Sequence, residues 1–357
     1  ERLAMRRILT IILACALCQT TLQSQEVIGT YRLSRDEDGW YCHNVVATEF
    51  KGMLYAQWQC SDKDEDAPDT RIYYSCSEDG RHWSVPEKLD ISLDSVRFIS
   101  NGGWWSGRDS LLCFINVAKL DGSRACLYVK SGDGKKWTSP RPVTDSAGLP
   151  VQGIIEQDTR SLPDGRILTA FHIGAGMICT PYFTDDPTAE SGWRAGTMPH
   201  LPYEGKSTSR EIEPSWYLDG NGEIVMIFRD QAGSFRKLRS ISRDRGETWT
   251  LPELTEIEDS RSKQSAGNLP DGRPFMVWNP SESKDRLPLA LAIKNGGLWE
   301  RYELRGEEDL APMRHEGLYK RRGYSYPKTF VWNNILVIGY AENKEDACVT
   351  LVRIRNK

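Results

Sequence analysis

Short runs of alternating apolar and polar residues recur along the chain, and residues 71–76 are one example. Few stretches place apolar residues at i, i+3 and i+4, the spacing that an amphipathic helix needs. Alternation of this kind is typical of half-buried β-strands. Glycine is frequent, with 30 residues, as expected for a chain with many turns. The pattern predicts an all-β protein.

Turn signals rich in Gly, Asp and Asn each precede an apolar run, and they repeat about every 55 residues. They lie at residues 50–52, 106–108, 162–166, 218–220, 269–273 and 332–334. Each repeat is long enough for four strands, and six repeats fill residues 26–357. We therefore predict a six-bladed β-propeller of four-stranded antiparallel blades, forming one domain over residues 26–357.

A second repeat lies between these turns. Its full copy is Ser242-Arg243-Asp244-Arg245-Gly246-Glu247-Thr248-Trp249, and shortened or eroded copies end at Trp83, Trp137, Trp193 and Trp299. Ser and Asp side chains can hydrogen-bond the backbone of a tight turn, Gly can adopt a positive φ, and Trp can pack underneath. We interpret this box as a folding device without a catalytic role.

These Asp-boxes resemble those of the sialidase superfamily of propellers, and the resemblance covers nearly all of residues 26–357. It implies a propeller that acts on a terminal acidic sugar. Asp-boxes also occur in propellers that hydrolyse nothing, so the active-site positions have to be argued residue by residue.

The overall charge is nearly balanced, with 46 Lys+Arg against 50 Asp+Glu. This excludes a nucleic-acid-binding protein that depends on bulk positive charge. Two of the nine cysteines, Cys15 and Cys18, lie in the first 25 residues, and none of the other seven has a metal-binding spacing. No cofactor motif is present, so we predict neither metal nor cofactor. We expect at most one disulfide.

The first residues have the layout of a secretory signal. Basic residues 6–7 precede an apolar run over residues 8–17, and small and polar residues continue to Gln25. We predict that residues 1–25 are a signal peptide with leading residues, that the mature protein is secreted or periplasmic, and that no segment spans a membrane. The alternative is a lipid anchor on Cys15.

Counting back from the predicted second strand of each blade indicates a polar ring. Eleven residues before the strand starts stand His43, Glu156, Glu213, Lys263 and Tyr324. Five residues after the starts stand further polar residues, including His172, Arg229 and Asn279. Ionisable groups at one depth are costly unless they face water or a ligand, so we expect both rings to line one mouth. The alternative is that they satisfy one another around a water-filled channel.

The resemblance assigns roles to several of these residues. Glu213-Pro214 followed by Arg229 looks like the sialidase segment with the catalytic glutamate and a carboxylate-binding arginine, and Tyr324 looks like the nucleophilic tyrosine. A tyrosine suits this role because the substrate's carboxylate repels an anionic nucleophile. The alternative for Tyr324 is stacking on a sugar.

Basic residues suggest that the mouth is positive. Arg286, after Asn279-Pro280, resembles a second carboxylate-binding arginine, although a surface salt bridge explains it equally well. Further basic residues in the connections to the inner strands are Arg210, Arg261, Arg314, Lys320, Arg321 and Arg322. We expect an anionic glycan as the partner, bound by bidentate arginine contacts, with Arg314 among them.

The sequence departs from the family pattern in blade one. The family's Phe/Tyr-Arg-Ile-Pro motif is replaced by Tyr41-Cys42-His43-Asn44, which lacks the arginine. The acid of the family comes from the following loop, where Asp62, Asp64, Asp66 and Asp69 are equal candidates, and that loop can also be read as a solvated acidic run.

Three functions follow from these observations. The first is an exo-acting glycoside hydrolase that releases a terminal acidic sugar, or a sugar next to one, with Tyr324, Glu213 and His43 as catalytic residues. The second is a uronate-directed β-eliminating lyase, in which His43, His172, Tyr324, Arg229 and Asn279 supply the proton-transferring and carboxylate-binding groups. The third is a carbohydrate-binding propeller without catalysis.

Overall fold

In a computed structural model of the protein, residues 25–174 and 176–355 are described. The predicted signal segment lies outside these ranges, apart from Gln25. The described chain is almost entirely β-structure, with one short 3₁₀ turn at Asp36–Asp38. None of the described helical structure is long and apolar enough to cross a bilayer.

The strands form six antiparallel sheets, as predicted. The N-terminal strand is β1 (Glu26–Arg32), and blade one contains β2 (Tyr41–Phe50), β3 (Met53–Ser61), β4 (Arg71–Ser77) and β5 (Glu87–Lys88). Blade two contains β6 (Val96–Ser106), β7 (Leu111–Lys119), β8 (Arg124–Ser131) and β9 (Arg141–Pro142). Blade three contains β10 (Gly153–Ile155), β11 (Arg160–Ser161), β12 (Ile167–Ile173), β13 (Ile178–Thr184) and β14 (Arg194–Ala195), where β10 and β11 together form an interrupted inner strand.

The second half of the chain repeats the same unit. Blade four contains β15 (Glu211–Leu218), β16 (Ile224–Asp230), β17 (Arg236–Ser242) and β18 (Glu253–Glu258). Blade five contains β19 (Ser265–Asn268), β20 (Pro274–Trp278), β21 (Leu289–Asn295) and β22 (Leu298–Arg305). Blade six contains β23 (Tyr324–Trp332), β24 (Ile335–Glu342) and β25 (Asp346–Arg353), and β1 pairs with β25 as its fourth strand.

The hydrophobic core is divided among the six blade interfaces. Each interface has its own cluster of buried apolar side chains, drawn from the two adjacent blades. Alternation along the strands explains this arrangement, because each sheet turns one set of side chains to each neighbouring blade. The inner strands are thereby held around the central axis, where β2 packs beside both β6 and β23.

The Asp-boxes form the turns that the sequence predicted. In blade four, the Ser242 hydroxyl accepts a hydrogen bond from Gly246 N–H at 2.9 Å, and Asp244 accepts one from Thr248 N–H at 2.9 Å. Gly246 has φ +88°, a conformation that favours glycine, and its carbonyl accepts a bond from the Trp249 indole. The copy ending at Trp299 is different, because blade five joins β21 to β22 through Gly296-Gly297 alone.

Candidate active site

Bulges in the inner strands aim individual side chains at one end of the central axis. The pairing register shifts between Ile212 and Ser215 in β15 and between Ser325 and Lys328 in β23. The first bulged residues are Glu213 and Tyr326, which have φ values of +53° and +55°. Each is followed by a proline, which has no N–H to contribute to a ladder and is tolerated at a bulge. Two structurally equivalent positions therefore present a glutamate and a tyrosine.

Glu213, Tyr326 and Arg229 meet at this end of the axis, and we call them the open cluster. The Tyr326 hydroxyl donates a short hydrogen bond to Glu213 Oε1. Arg229 Nη1 lies 3.1 Å from Glu213 Oε2 and 3.0 Å from the Tyr326 hydroxyl. The arrangement joins a carboxylate acceptor, a phenol and a guanidinium within hydrogen-bond reach of one another.

The protonation states in the open cluster follow from its surroundings. Burial, followed by the adjacent Glu213 charge, raises the pKa of the Tyr326 phenol well above its usual value. Burial also acts to raise the pKa of Glu213, but the positive charges of Arg229 and Lys263 lower it below its ordinary value. At neutral pH the pair is therefore a carboxylate next to a neutral phenol, the state in which Glu213 can accept a proton.

Three residues of the predicted ring support Glu213 from behind. His172 Nε2 accepts a hydrogen bond from Glu213 N–H at 3.3 Å, so its proton is on Nδ1, which lies 2.8 Å from Glu156 Oε1. Lys263 Nζ forms a short contact with Glu156 Oε2. Gln264 Nε2 donates to the Glu213 carbonyl at 3.0 Å, so both backbone polar groups of this positive-φ residue are held. Glu156, His172 and Lys263 position Glu213 and do not line the pocket, contrary to the prediction that they contact substrate.

The open cluster borders a small pocket with a volume of about 170 Å³. Its lining is Glu65, Arg229, Ser260, Arg261, Lys284, Arg286, Tyr319, Arg321, Tyr326 and Lys344. Six of these residues are cationic, so the predicted positive mouth is present although the whole chain has a net charge of -4. This pocket can attract an anionic ligand.

Arg286 is the buried cation of this pocket that has no charged partner. Its guanidinium carbon lies 4.8 Å from the centre of the Tyr326 ring, the residue is only 5% exposed, and Nε and Nη1 have no hydrogen-bond partner among the described residues. Asn279 fixes this segment, because its Nδ2 donates to the Arg286 carbonyl at 3.1 Å. Asn279 is thus a positioning residue, whereas the sequence had suggested a ligand contact. Arg286 is placed to bind a carboxylate next to Tyr326.

His43 lies behind Tyr326 and not in the pocket. The two rings are 4.3 Å apart between centroids, and His43 is fully buried. Burial, then the charges of Lys344, Arg286 and Lys263, lowers the pKa of His43 well below its usual value. The predicted catalytic role therefore does not fit its position, since a neutral, enclosed imidazole cannot reach a substrate atom.

Lys344 brings a cation from blade six to the same end of the axis. It is 2% exposed and its Nζ lies 2.5 Å from Glu65 Oε2 and 5.7 Å from the centre of the Tyr326 ring. Burial lowers the pKa of Lys344 to about 8, against the opposing effect of Glu65. The Glu65–Lys344 pair belongs to the wall of the pocket.

The structure separates the four acidic candidates of the loop that follows β3. Asp62 forms an ion pair with Arg71, Asp64 accepts a bond from Leu318 N–H, and Asp69 accepts one from Asp62 N–H. Asp66 has neither a hydrogen bond nor an ion pair with any described residue. Although the residue is solvent-accessible, nearby protein and the charge of Glu65 raise the pKa of its carboxyl. Asp66 is therefore the candidate with a raised pKa, but like the other three it does not line the pocket.

Tyr324 and Arg314 lie elsewhere, which corrects two sequence predictions. Tyr324 is fully buried between blades five and six, and its hydroxyl donates to the Gly306 carbonyl at 2.8 Å. Arg314 is occupied by Glu345 and Asp346, at 3.3 and 2.7 Å, outside the pocket lining. The structure brings neither residue to the open cluster.

Tyr324 was chosen and Tyr326 was missed because the same count of eleven residues was applied to hairpins of unequal length. Five residues, 219–223, separate β15 from β16, whereas only Asn333-Asn334 separate β23 from β24. Counting back eleven residues consequently reaches the bulge in blade four but passes it in blade six. The shared signal is the X-Pro dipeptide, since Glu213-Pro214 and Tyr326-Pro327 occupy matching bulges.

Within residues 25–174 and 176–355, no group of three His, Cys, Asp or Glu side chains is arranged to hold a metal ion. One disulfide joins Cys42 to Cys60 across β2 and β3, next to His43 and close to the start of the acidic loop.

Comparisons with known proteins agree with the propeller fold. Residues 52–339 match the model of the BNR repeat-like domain family. A protein of unknown function from Dyadobacter fermentans is similar in structure, with a TM-score of 0.70 and 17% identity, covering 94% of this chain and all of that one. No curated protein matches the sequence.

Two sialidases are also similar in structure. The Hadza microbial sialidase Hz136 has a TM-score of 0.68 and 13% identity, with 91% of this chain and 68% of that chain covered. The NanB sialidase from Streptococcus pneumoniae has a TM-score of 0.63 and 11% identity, with 93% and 71% covered. At these identities the similarity shows a shared fold.

Proposed function

Since this chain belongs to the BNR repeat-like domain family, we propose that it is a sialidase-like glycoside hydrolase. It releases a terminal acidic sugar, or a sugar next to one, from a glycan outside the cytoplasm. The observation that carries the proposal is the open cluster beside the unpaired, buried Arg286. The Cys42–Cys60 disulfide supports an oxidising compartment.

Carboxylate recognition is the first step of the proposed reaction. Arg286 has two buried donor nitrogens, Nε and Nη1, without a hydrogen-bond partner among the described residues, and Arg229 lies beside the same tyrosine. In a sialic acid the carboxylate is attached to the anomeric carbon, so binding it there places that carbon near the Tyr326 hydroxyl. Binding the carboxylate also satisfies donors that are otherwise buried and unpaired, which favours an anionic sugar over a neutral one.

Nucleophilic attack then uses the tyrosine and its partner. Tyr326 Oη attacks the anomeric carbon, and Glu213 accepts the phenol proton through the short hydrogen bond between them. A neutral phenol approaches a carboxylate-bearing carbon without the repulsion that a carboxylate nucleophile would meet. The departing glycosidic oxygen also needs a proton, and we assign its donation to Asp66 because of the raised pKa; this assignment requires the acidic loop to bring Asp66, which is outside the pocket lining, to the bound substrate.

Hydrolysis of the glycosyl–tyrosine bond completes the cycle. Asp66 now takes a proton from water, the oxygen of that water bonds to the anomeric carbon, and the phenolate leaves and recovers its proton from Glu213. Two successive displacements at one carbon return the original anomeric configuration, so we expect retention. The lyase alternative has less support, because His43 is enclosed behind Tyr326 and His172 is bound to Glu213.

The test uses two tyrosines of the same strand. Sialylated and glucuronate-ended oligosaccharides are incubated with Tyr326→Phe and with Tyr324→Phe, and released sugar and absorbance near 235 nm are followed. We expect Tyr326→Phe to lose more than about 1,000-fold in turnover while it still binds substrate. Tyr324→Phe should keep its turnover and lose about 1 kcal/mol of stability with its bond to Gly306.

The alternatives predict different outcomes. New absorbance without a hydrolysis product means a lyase, and binding without any product means a carbohydrate-binding propeller. Full activity of Tyr326→Phe would remove the nucleophile from the proposal.

A further inference from the structure

The cations of the pocket are not all occupied by acidic neighbours. Arg229 is paired with Glu213, and Lys344 with Glu65. The other four pocket cations form no ion pair with any described residue; they are Arg261, Lys284, Arg286 and Arg321. Four positive charges close together repel one another unless anions neutralise them. The single carboxylate of the proposed substrate neutralises only one of the four.

These four cations lie at two depths. Arg286 is 5% exposed beside Tyr326, whereas Arg261 and Arg321 are half-buried and Lys284 is exposed. The single carboxylate of the proposed substrate occupies the deep position at Arg286. The three outer cations remain available to a group that extends from the sugar toward the solvent.

The outer position has preorganised donors. Ser260 is 1% exposed and lines the pocket, and its hydroxyl has no hydrogen-bond partner among the described residues. Arg261 has φ +55° and its Nη2 donates to the Gln231 carbonyl at 3.0 Å, while its buried Nε has no partner in the described chain. The segment is anchored because Asp259 forms a 2.8 Å ion pair with the buried Lys237. A hydroxyl and a guanidinium fixed in this way suit an oxyanion.

We infer that Ser260, Arg261, Lys284 and Arg321 form a second anion subsite at the mouth of the pocket. The ligand is then a glycan that has a second anionic group, a sulfate ester or a carboxylate, on the sugar that adjoins the terminal acidic one. This inference rests on the proposed function for the orientation of the ligand, with its terminal sugar at Tyr326. It adds that the leaving part of the substrate is also acidic.

The test compares disaccharides that differ only in their second sugar. Each has a terminal sialic acid or glucuronate, and the adjoining sugar is neutral, 6-sulfated or a uronate; affinities are measured by calorimetry with Tyr326→Phe to prevent turnover. We expect the dianionic ligands to bind about 10-fold more tightly than the neutral-ended ligand. The affinity of the dianionic ligands should also fall more steeply with added salt than that of the neutral-ended ligand.

Variants locate the effect. Adding Arg261→Gln and Arg321→Gln should remove the preference, so that ligands with a neutral and an anionic second sugar bind equally, whereas Arg286→Gln should weaken all ligands and keep the preference. Arg314→Gln is the matched control, since this half-exposed arginine is paired outside the pocket.

Each outcome decides between the two proposals. Equal binding of all ligands, or a preference that survives the double variant, overturns the second subsite and leaves the hydrolase proposal standing. Failure to bind or cleave any acidic disaccharide overturns both. A preference for only the sulfated or only the uronate ligand supports the subsite and identifies its anion.

Discussion

Two clusters each contain a tyrosine, an arginine and a glutamate, and their tyrosines are two residues apart on β23, but only one cluster is open to a pocket. The closed cluster consists of Tyr324, Arg305 and Glu342. Arg305 lies 2.6 Å from Glu342 and 4.6 Å from the centre of the Tyr324 ring. The open cluster has Tyr326, Arg229 and Glu213 in the corresponding roles.

The difference between the clusters lies in what surrounds them. In the closed cluster the tyrosine hydroxyl is bound to the Gly306 carbonyl, and Glu342 also accepts a bond from Ala311 N–H, so backbone groups complete it. The open cluster has Arg286 with unpaired donors at its edge and a pocket beyond it. Residue type alone therefore does not separate a stabilising trio from a reactive one; the remaining hydrogen-bonding capacity does.

The largest difference is expected when an arginine is removed from each region. Arg286→Gln should weaken binding of an acidic sugar by about 100-fold, because a charge-assisted pair with the carboxylate is lost. Arg305→Gln should leave affinity unchanged and lower stability by about 3 kcal/mol, because Glu342 loses its partner. Calorimetric titration and thermal unfolding of both variants measure the contrast. Equal effects on affinity would contradict the distinction between open and closed clusters.

A smaller effect is expected from the support of Glu213. His172→Phe removes the acceptor for Glu213 N–H, so we expect kcat to fall about 10-fold while substrate affinity stays the same. His200→Phe is the matched control. His200 Nδ1 lies 2.5 Å from Glu211 Oε1, and neither residue lines the pocket. Steady-state kinetics separate kcat from KM. A loss confined to KM would refute the positioning role.

The smallest expected effect is on pH dependence. Lys344 is charged below its pKa of about 8 and loses the charge as pH rises through that value. The affinity for an acidic sugar should therefore fall severalfold above pH 8, and Lys344→Arg should abolish this decline because arginine stays protonated.

Lys328 provides the control, since burial also lowers its pKa to about 8 but it pairs with Asp158 outside the active-site pocket. Lys328→Arg should leave the decline in place. A pH profile that is flat in the unmodified protein would exclude Lys344 from binding.

Periodicity predicted the blades well because each blade repeats the same hairpins and turns, which are encoded locally in the sequence. The predicted second strands of blades three to six begin at the observed residues, Ile167, Ile224, Pro274 and Ile335. Hairpin turns and Asp-boxes depend on neighbouring residues, so they can be recognised in a short segment of sequence. The same is true of Glu213 and Arg229, which face each other across one hairpin.

The rest of the site depends on irregular backbone. Tyr326 is displaced by a bulge, and Arg286, Lys344 and Glu65 come from loops of three different blades. Loop conformations follow from contacts with residues distant in sequence, as in the bond between Lys344 and Glu65. A periodic count has no information about such contacts, which explains why it chose Tyr324. Arg314 was predicted only because it is a basic residue in a connection to an inner strand.

The pairing of β1 with β25 has a consequence for biosynthesis. β1 leaves the ribosome long before β25 and has no neighbouring strand until β25 emerges, so the ring cannot close until residue 353 has been synthesised. Throughout that interval an unprotected sheet edge is available to other chains. Removal of residues 26–32 should therefore cause aggregation of the protein, and this effect should be larger than any effect on catalysis in the pocket.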